Sequence, residues 1–381
     1  MRRLLLLMMA FMLCAVLGLY AFAPYLMALV LEGSPTLTWR NVGEYAEVPG
    51  ESQPGWSKSS PATKLDPNLD ALFSESGGSA LLAARDGALV LEHYGSGVDQ
   101  ETRLNSFSIA KSLVGALLFK AVAEGKIESL DQTLGELLPE APGLSDMTLR
   151  KILTMRSGVH FDSKTASFGA HGSFKDSDTF PNPFGPLARL YFQGVDAVVG
   201  GLTMDPNPPD TFNYQNVNTA LLGAVIERVY GRPLEDLLSE KIWMPSGAES
   251  AVWRKPSAET SVSAYCCIYA TARDWLRIGV FFASNGTRAR SFLPDDLWRE
   301  FLGLDVPLAQ RENDHYGNHT LQNVLDRDGE ELQGPFTYFM GQNGQILYIM
   351  PDKNLVVYRA GERYQLLHST LYGAWNSIPR E

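Results

Sequence analysis

The sequence has no excess of positive charge and no basic block: 32 Lys and Arg stand against 43 Asp and Glu, for a formal net charge of −11. This excludes a nucleic-acid-tracking surface, which needs clustered cations to neutralise phosphates. Cysteine is scarce. Cys14, Cys266 and Cys267 are the three in the chain, too few for a disulfide framework and without zinc-type spacing. A bridge between neighbouring cysteines is strained, so Cys266 and Cys267 are expected as free, mostly buried thiols. Histidine is sparse too, with six residues. His93, His160 and His171 read as surface or structural groups. Asp314, His315 and His319 come nearest to a metal-ligand pattern. Histidines four apart converge only on a helix, however, and Tyr316-Gly317-Asn318 reads as loop or strand, so no metal is expected. There is no internal repeat. What remains is a 381-residue chain, 45% hydrophobic and 20% charged, enough for a large core in one or two domains.

Long hydrophobic runs are also few. One stands out, uncharged from Leu4 to Leu31, preceded by Arg2-Arg3 and closed by Glu32. About 20 apolar residues can span a bilayer, and the arginines place the preceding end in the cytoplasm. Residues 1–33 are therefore expected to be an inner-membrane anchor holding an exported domain in the periplasm. A cleaved signal is the alternative, since Ala21-Phe22-Ala23 resembles a cleavage site although Pro24 follows it. Residues 34–64, rich in Pro, Gly and Ser, read as a linker or surface strap. Residues 65–381 read as the globular domain.

Within that domain, residues 80–84 and 88–94 flank Asp86-Gly87 and predict a hairpin. Helical patterns follow at 148–155, 219–230, 233–241 and 270–283, and Asp274 reads as a cap or a structural ion-pair member. Period-two patterns return at 336–340, 345–350 and 355–359, followed by a helix over about 363–377. Strands near both ends and helices between them predict an α+β fold: one antiparallel sheet built from both chain ends, flanked by helices, with an inserted, mostly helical lobe.

The chemistry centres on Ser108-Ile109-Ala110-Lys111 and the apolar run after it, Leu113 to Phe119. On a helix, Ser108 and Lys111 share a face. Lysine at the start of a buried helix is costly unless it is paired or loses its proton. A neutral amine beside a hydroxyl can activate a serine nucleophile. Ser-x-x-Lys alone is a weak pattern that chance supplies in chains of this length. Two downstream features give it weight: Tyr214-x-Asn216 before a strong helix, and the turn Gly341-Gln342-Asn343-Gly344 leading into a strand at Gln345.

With these pieces in order, residues 66–381 resemble the serine hydrolases of the class C β-lactamase and penicillin-recognising superfamily. The nearest likeness is to the esterase and 6-aminohexanoate-dimer hydrolase branch. The phrases around residues 153–158, 221–228, 269–274 and 350–352 fit as well. The resemblance implies Ser108 as acyl-accepting nucleophile, with Lys111 and Tyr214 as proton carriers, Tyr214 working from a lowered pKa. It implies that Asn216 orients substrate and holds the lysine. The substrate shelf would be Gln342, Asn343, Gly344 and Gln345, with the Ser108 and Gln345 N–H groups forming the oxyanion hole. No cofactor is implied. Gln342 stands where relatives carry Lys or His, so a substrate carboxylate would lack its cationic partner. That favours a small ester or neutral amide. The alternatives are a β-lactamase or DD-peptidase acting on β-lactam or peptidoglycan, and a non-catalytic envelope protein binding such a peptide-like ligand.

Overall fold

The N-terminal apolar run folds as two helices, α1 (Arg2–Phe22) and α2 (Tyr25–Glu32). The computed structural model describes the chain outside residues 1, 23–24, 52–55, 57–60, 162–166, 169–173, 176–184, 206–210, 313 and 379–381. Among the described residues no helix is long and apolar enough to cross a membrane, so the anchor expected over this run finds no support in the fold. Glu32 does not merely close the run. Its carboxylate pairs with Arg254 at 2.7 Å, both side chains nearly buried, and this ties α2 to the domain.

The stretch expected as a linker carries β1 (Glu44–Val48), which pairs antiparallel with residues 251–255. Helix α3 (Pro67–Glu75) starts at Asp66, whose Oδ1 accepts the N–H groups of Asn68 and Leu69, as an N-cap should. The hairpin follows as β2 (Gly78–Arg85) and β3 (Ala88–Tyr94). Asp86 and Gly87 both take positive φ, 52° and 76°, the requirement of a two-residue hairpin turn that matches strand twist. Next come β4 (Leu104–Asn105), α4 (Ile109–Ala123), α5 (Leu149–Leu153) and α6 (Asn216–Tyr230). They lead to β5 (Ala251–Lys255), β6 (Ile268–Ala270) and α7 (Ala272–Ala283). The chain closes with β7 (His315–Gly317), β8 (Thr320–Leu325), β9 (Gly334–Gly341), β10 (Gln345–Met350), β11 (Leu355–Gly361) and α8 (Leu367–Ser377).

The main sheet runs β7-β8-β9-β10-β11-β2-β3. Within it the late strand β11 pairs with the early strand β2, Val357 opposite Ala83, antiparallel. The architecture is thus α+β, with sheet strands drawn from both chain ends. Strands β10 and β11 are buried along their whole length, which is why they read as near-continuous apolar runs. One face of the sheet packs its Leu81, Tyr348 and Val357 against α3 and α8 through Leu69 and Leu371. The other packs Leu82, Leu347 and Val356 against α7, α4 and the helical lobe. A second, smaller sheet, β1-β5-β6-β4, lies beside the start of α4 and was not evident in the sequence.

Candidate active site

Helix α4 is uncharged on every face except at Lys111 and Lys120, and nearly all of it is buried. Ser108 is its N-cap residue but spends no side-chain hydrogen bond on capping, which leaves its hydroxyl to other partners. The preceding residue, Phe107, sits at φ 42°, a region that non-glycine residues avoid at a cost of about 1–3 kcal/mol. The surroundings hold it there. Asn105 Oδ1 accepts the Phe107 N–H at 2.8 Å, while the Asn105 amide donates to Thr36 O and Tyr269 Oη. This sharp turn presents Ser108 at the helix start, where the helix dipole favours negative charge; the N–H groups of Ile109, Ala110 and Lys111 are bonded to Ser106 O, Phe107 O and Ser108 O.

Lys111 Nζ lies 2.9 Å from Ser108 Oγ and 2.9 Å from the carbonyl oxygen of Tyr265. Among the described residues it has no carboxylate partner. Only 2% of Lys111 is exposed, and burial holds its amine well below the usual lysine range, toward the neutral form. Tyr214 closes the other side: Lys111 Nζ is 4.9 Å from the centre of its ring. A hydrogen bond with Ser108 pulls the Tyr214 pKa down, but burial pushes it up and is the larger effect. The expected lowered pKa is thereby corrected: desolvation outweighs the Ser108 hydrogen bond and disfavours a phenolate. Burial thus favours the protonated phenol at Tyr214 and the neutral amine at Lys111.

The third segment reaches the same place from the sheet. Gly341 ends β9 against the turn that leads into Ser108. A Cβ there would collide with the Ser106 carbonyl and lie 3.1 Å from the Ser108 amide nitrogen, so only glycine fits this approach. The following turn is pinned from behind. Arg359, fully buried on β11, donates Nη1 to the carbonyls of Asn343 (3.1 Å) and Gly344 (2.8 Å), and Nη2 to Ser76 Oγ (2.8 Å). Burial lowers its pKa to about 10, still charged at neutral pH. Gln345 points its side chain away from Ser108: Nε2 donates to Gly361 O and Gln342 O, and Oε1 accepts the Gly361 N–H. Its backbone N–H, expected in the oxyanion hole, donates to the Gln342 carbonyl and closes a single 3₁₀ turn.

A sequence profile of the Beta-lactamase family matches residues 69–361. The chain belongs to the beta-lactamase family. A 6-aminohexanoate-dimer hydrolase of Paenarthrobacter ureafaciens is 24% identical over 257 residues, 63% of this chain and 60% of that protein. The chain thus spans less than two thirds of that relative. Among solved structures, a Bacillus anthracis protein assigned as a 6-aminohexanoate-dimer hydrolase superposes with a TM-score of 0.69 at 19% identity, covering 89% of this chain and 92% of that one. EstCE1, described as a hydrolase with promiscuous acyltransferase activity, superposes with a TM-score of 0.59 at 16% identity, covering 82% and 96%. At these identities the superpositions establish the beta-lactamase fold.

Within this family framework the structure brings Ser108, Lys111 and Tyr214 together and sets Gly341 beside them. Gln342 and Asn343 are partly exposed on the adjoining turn, and Gly344 is buried beneath it. Asn216 opens α6 and is partly exposed, but the second hold on Lys111 is the Tyr265 carbonyl. Backbone acceptors leave no signature in sequence, so Tyr265 went unseen. His319 also went unseen as part of the site. It is buried, with Nε2 3.0 Å from Thr219 Oγ1 and Nδ1 3.3 Å from Tyr316 Oη, and the Tyr316 ring meets the Tyr214 ring edge-on at 6.1 Å. Its carbonyl accepts the Ser112 hydroxyl at 2.6 Å, so it bridges α4 and α6 beneath the site. Burial and the nearby Lys111 push its pKa down to about 3. Asp314 accepts the Tyr338 hydroxyl at 2.9 Å; among the described residues no three His, Cys, Asp or Glu could jointly hold a metal ion. Asp274 caps structure: it accepts the Glu249 N–H and the Thr271 hydroxyl and faces Arg277 at 3.7 Å. His171 lies outside the described residues. Cys266 and Cys267, expected as free thiols, form a disulfide. The tight turn at 263–266, closed by the Cys266 N–H on Ser263 O, leads directly into the two cysteines.

Proposed function

We propose that this beta-lactamase-family chain is a serine hydrolase that cleaves a small ester or neutral amide through an acyl-enzyme on Ser108. The observation that carries this reading is Lys111: a dry amine whose partners are the Ser108 hydroxyl and one backbone carbonyl. In acylation its lone pair takes the Ser108 proton while one of its N–H groups stays on Tyr265 O. Oγ attacks the substrate carbonyl. The oxyanion forms at the α4 start, against the Ser108 N–H. The second donor is the Gln345 N–H once it exchanges Gln342 O for substrate; Gln345 Nε2, already 3.2 Å from that carbonyl, keeps it satisfied. Tyr214 protonates the leaving group and recovers a proton from Lys111. Water then repeats the sequence to free the acid. The names of the relatives, an amide-dimer hydrolase and a hydrolase with acyltransferase activity, support an amide or ester. The uncharged Gln342 supports a neutral acyl group. Export belongs to the same proposal, supported by Arg2-Arg3 and by the exposed side chains of α1, such as Leu4 and Phe11 at 66% and 76%; cell fractionation tests it.

A fluorophosphonate probe tests the hydrolase reading, with short p-nitrophenyl esters and nitrocefin as competing substrates. We expect labelling of Ser108 and ester turnover above nitrocefin turnover. Nitrocefin turnover without ester cleavage would favour a β-lactamase, and no labelling of folded protein would favour a non-catalytic binder.

A further inference from the structure

The disulfide lies between the two segments that hold the catalytic groups. The Tyr265 carbonyl, which accepts from Lys111 Nζ at 2.9 Å, belongs to the Tyr265–Cys266 peptide, and the N–H of that peptide donates to Ser263 O at 2.9 Å. On the far side of the pair, the Ile268 N–H donates to Ser106 Oγ at 3.0 Å, and Ile268 O accepts the Ser106 N–H at 2.7 Å. Ser106 stands two residues before the nucleophile. Residue 265 therefore holds the base, residue 268 holds the nucleophile turn, and the cross-link joins the two residues between them. Cys267 lies at φ 73°, a region costing a non-glycine residue about 1–3 kcal/mol. The Trp253 indole N–H, 3.0 Å from both Ser263 O and Cys266 O, braces the same turn.

A cross-link between neighbours closes almost no loop, so chain entropy gives it little weight in global stability. Its effect is local. Cys267 is fully buried and Cys266 is partly exposed, so the pair can be reached from one side. The geometry points to Cys266–Cys267 as a thiol–disulfide exchange site whose oxidised state fixes the carbonyl that holds Lys111. A dithiol reductant then lowers hydrolysis without unfolding the protein. One thiolate of the reductant attacks Cys266 Sγ, the S–S bond breaks, and Cys267 leaves as a thiolate and takes a proton. The second thiol of the reductant then attacks the mixed disulfide, releases Cys266 as a thiol and departs as a cyclic disulfide. The dithiol supplies both electrons and both protons. With the ring open, Cys267 can leave the left-handed region, and the Tyr265–Cys266 peptide turns with it.

The inference rests on the hydrolase reading, and its test separates the two. The full chain carrying Cys14→Ser, which removes the exposed third thiol, is measured before and after dithiothreitol and again after diamide. Iodoacetamide trapping in denaturant counts the thiols. We expect no trapped thiol before reduction and two after it. Ser108 labelling should slow about tenfold and kcat fall with KM held. Amide exchange should rise in residues 263–268, Tm should change little, and all of these should reverse on reoxidation. Verified reduction that changes neither labelling nor exchange overturns the inference, as do two thiols that persist through diamide. An oxidised protein that never labels defeats the hydrolase reading instead, and exchange at 263–268 then still decides whether the cross-link fixes the segment. Cys266→Ser/Cys267→Ser should match the reduced form. If that variant does not fold, the reversible reduction stands alone.

Discussion

Arg359 donates a hydrogen bond to Gly344 O at 2.8 Å, on the very peptide whose other end is the Gln345 N–H. A buried cation therefore grips, from behind, the unit expected to meet the substrate oxygen. A charge-assisted bond to the carbonyl of a peptide strengthens its N–H as a donor. The turn carries no cation at Gln342, but a buried one holds it from beneath.

Arg359→Met should leave Gly344 O, Asn343 O and Ser76 Oγ short of a donor. We expect a stability loss of about 2–4 kcal/mol by chemical denaturation. Ester kcat should fall more than KM rises, and Arg359→Lys should fall between the two. Steady-state kinetics and urea titration check this.

Lys111→Met should remove the base and cost about 10²–10⁴ in kcat, while raising stability at neutral pH. The sign follows from the lowered folded pKa: below the ordinary lysine range the unfolded chain binds the extra proton, so stability rises with pH across that window. The gain of the variant over the parent should thus shrink as pH climbs toward 10. Thermal melts from pH 7 to pH 10 measure it. In the parent, kcat should rise with pH as Lys111 loses its proton.

His319 is pushed down to about 3 by burial, against about 6.5 in an unfolded chain. Between those values the unfolded state holds more protons, so stability falls as pH drops. From pH 7 to pH 4.5 His319 should account for about 2–3 kcal/mol of loss. His319→Gln should flatten that slope, as read by denaturant titration at the two pH values.

Gln342→Lys places a cation on the turn beside Ser108. Hydrolysis of esters with an acyl carboxylate, and of nitrocefin, should rise about tenfold relative to neutral esters, the worth of one charge-assisted bond. Paired kcat/KM values for charged and neutral esters check it.

Elements with strong periodicity were legible in the sequence. The β2–β3 hairpin, β10, α6 and α7 follow from alternation, from helical periodicity and from the Asp-Gly turn; the cap of α7, read at Asp274, is Thr271. Ser108, Lys111 and Tyr214 were legible because side-chain chemistry leaves a spacing. The small sheet was not, since β4 and β6 are two and three residues long and carry too little pattern. Nor were the Tyr265 carbonyl and the Gln345 N–H, because backbone groups have no letter in the sequence. Arg359 read as one polar residue at the end of an apolar strand; only the turn folding over it shows what its guanidinium holds.

The account depends most on Ser108 becoming acylated. Intact-protein mass spectrometry, with the protein quenched in acid during turnover of a p-nitrophenyl ester, reads this directly. The predicted result is a mass increase of one acyl group, mapped by peptide digestion to Ser108, absent in Ser108→Ala and not accumulating in Lys111→Ala. Ester turnover at the parent rate in Ser108→Ala, or an adduct mapped to another residue, would contradict it.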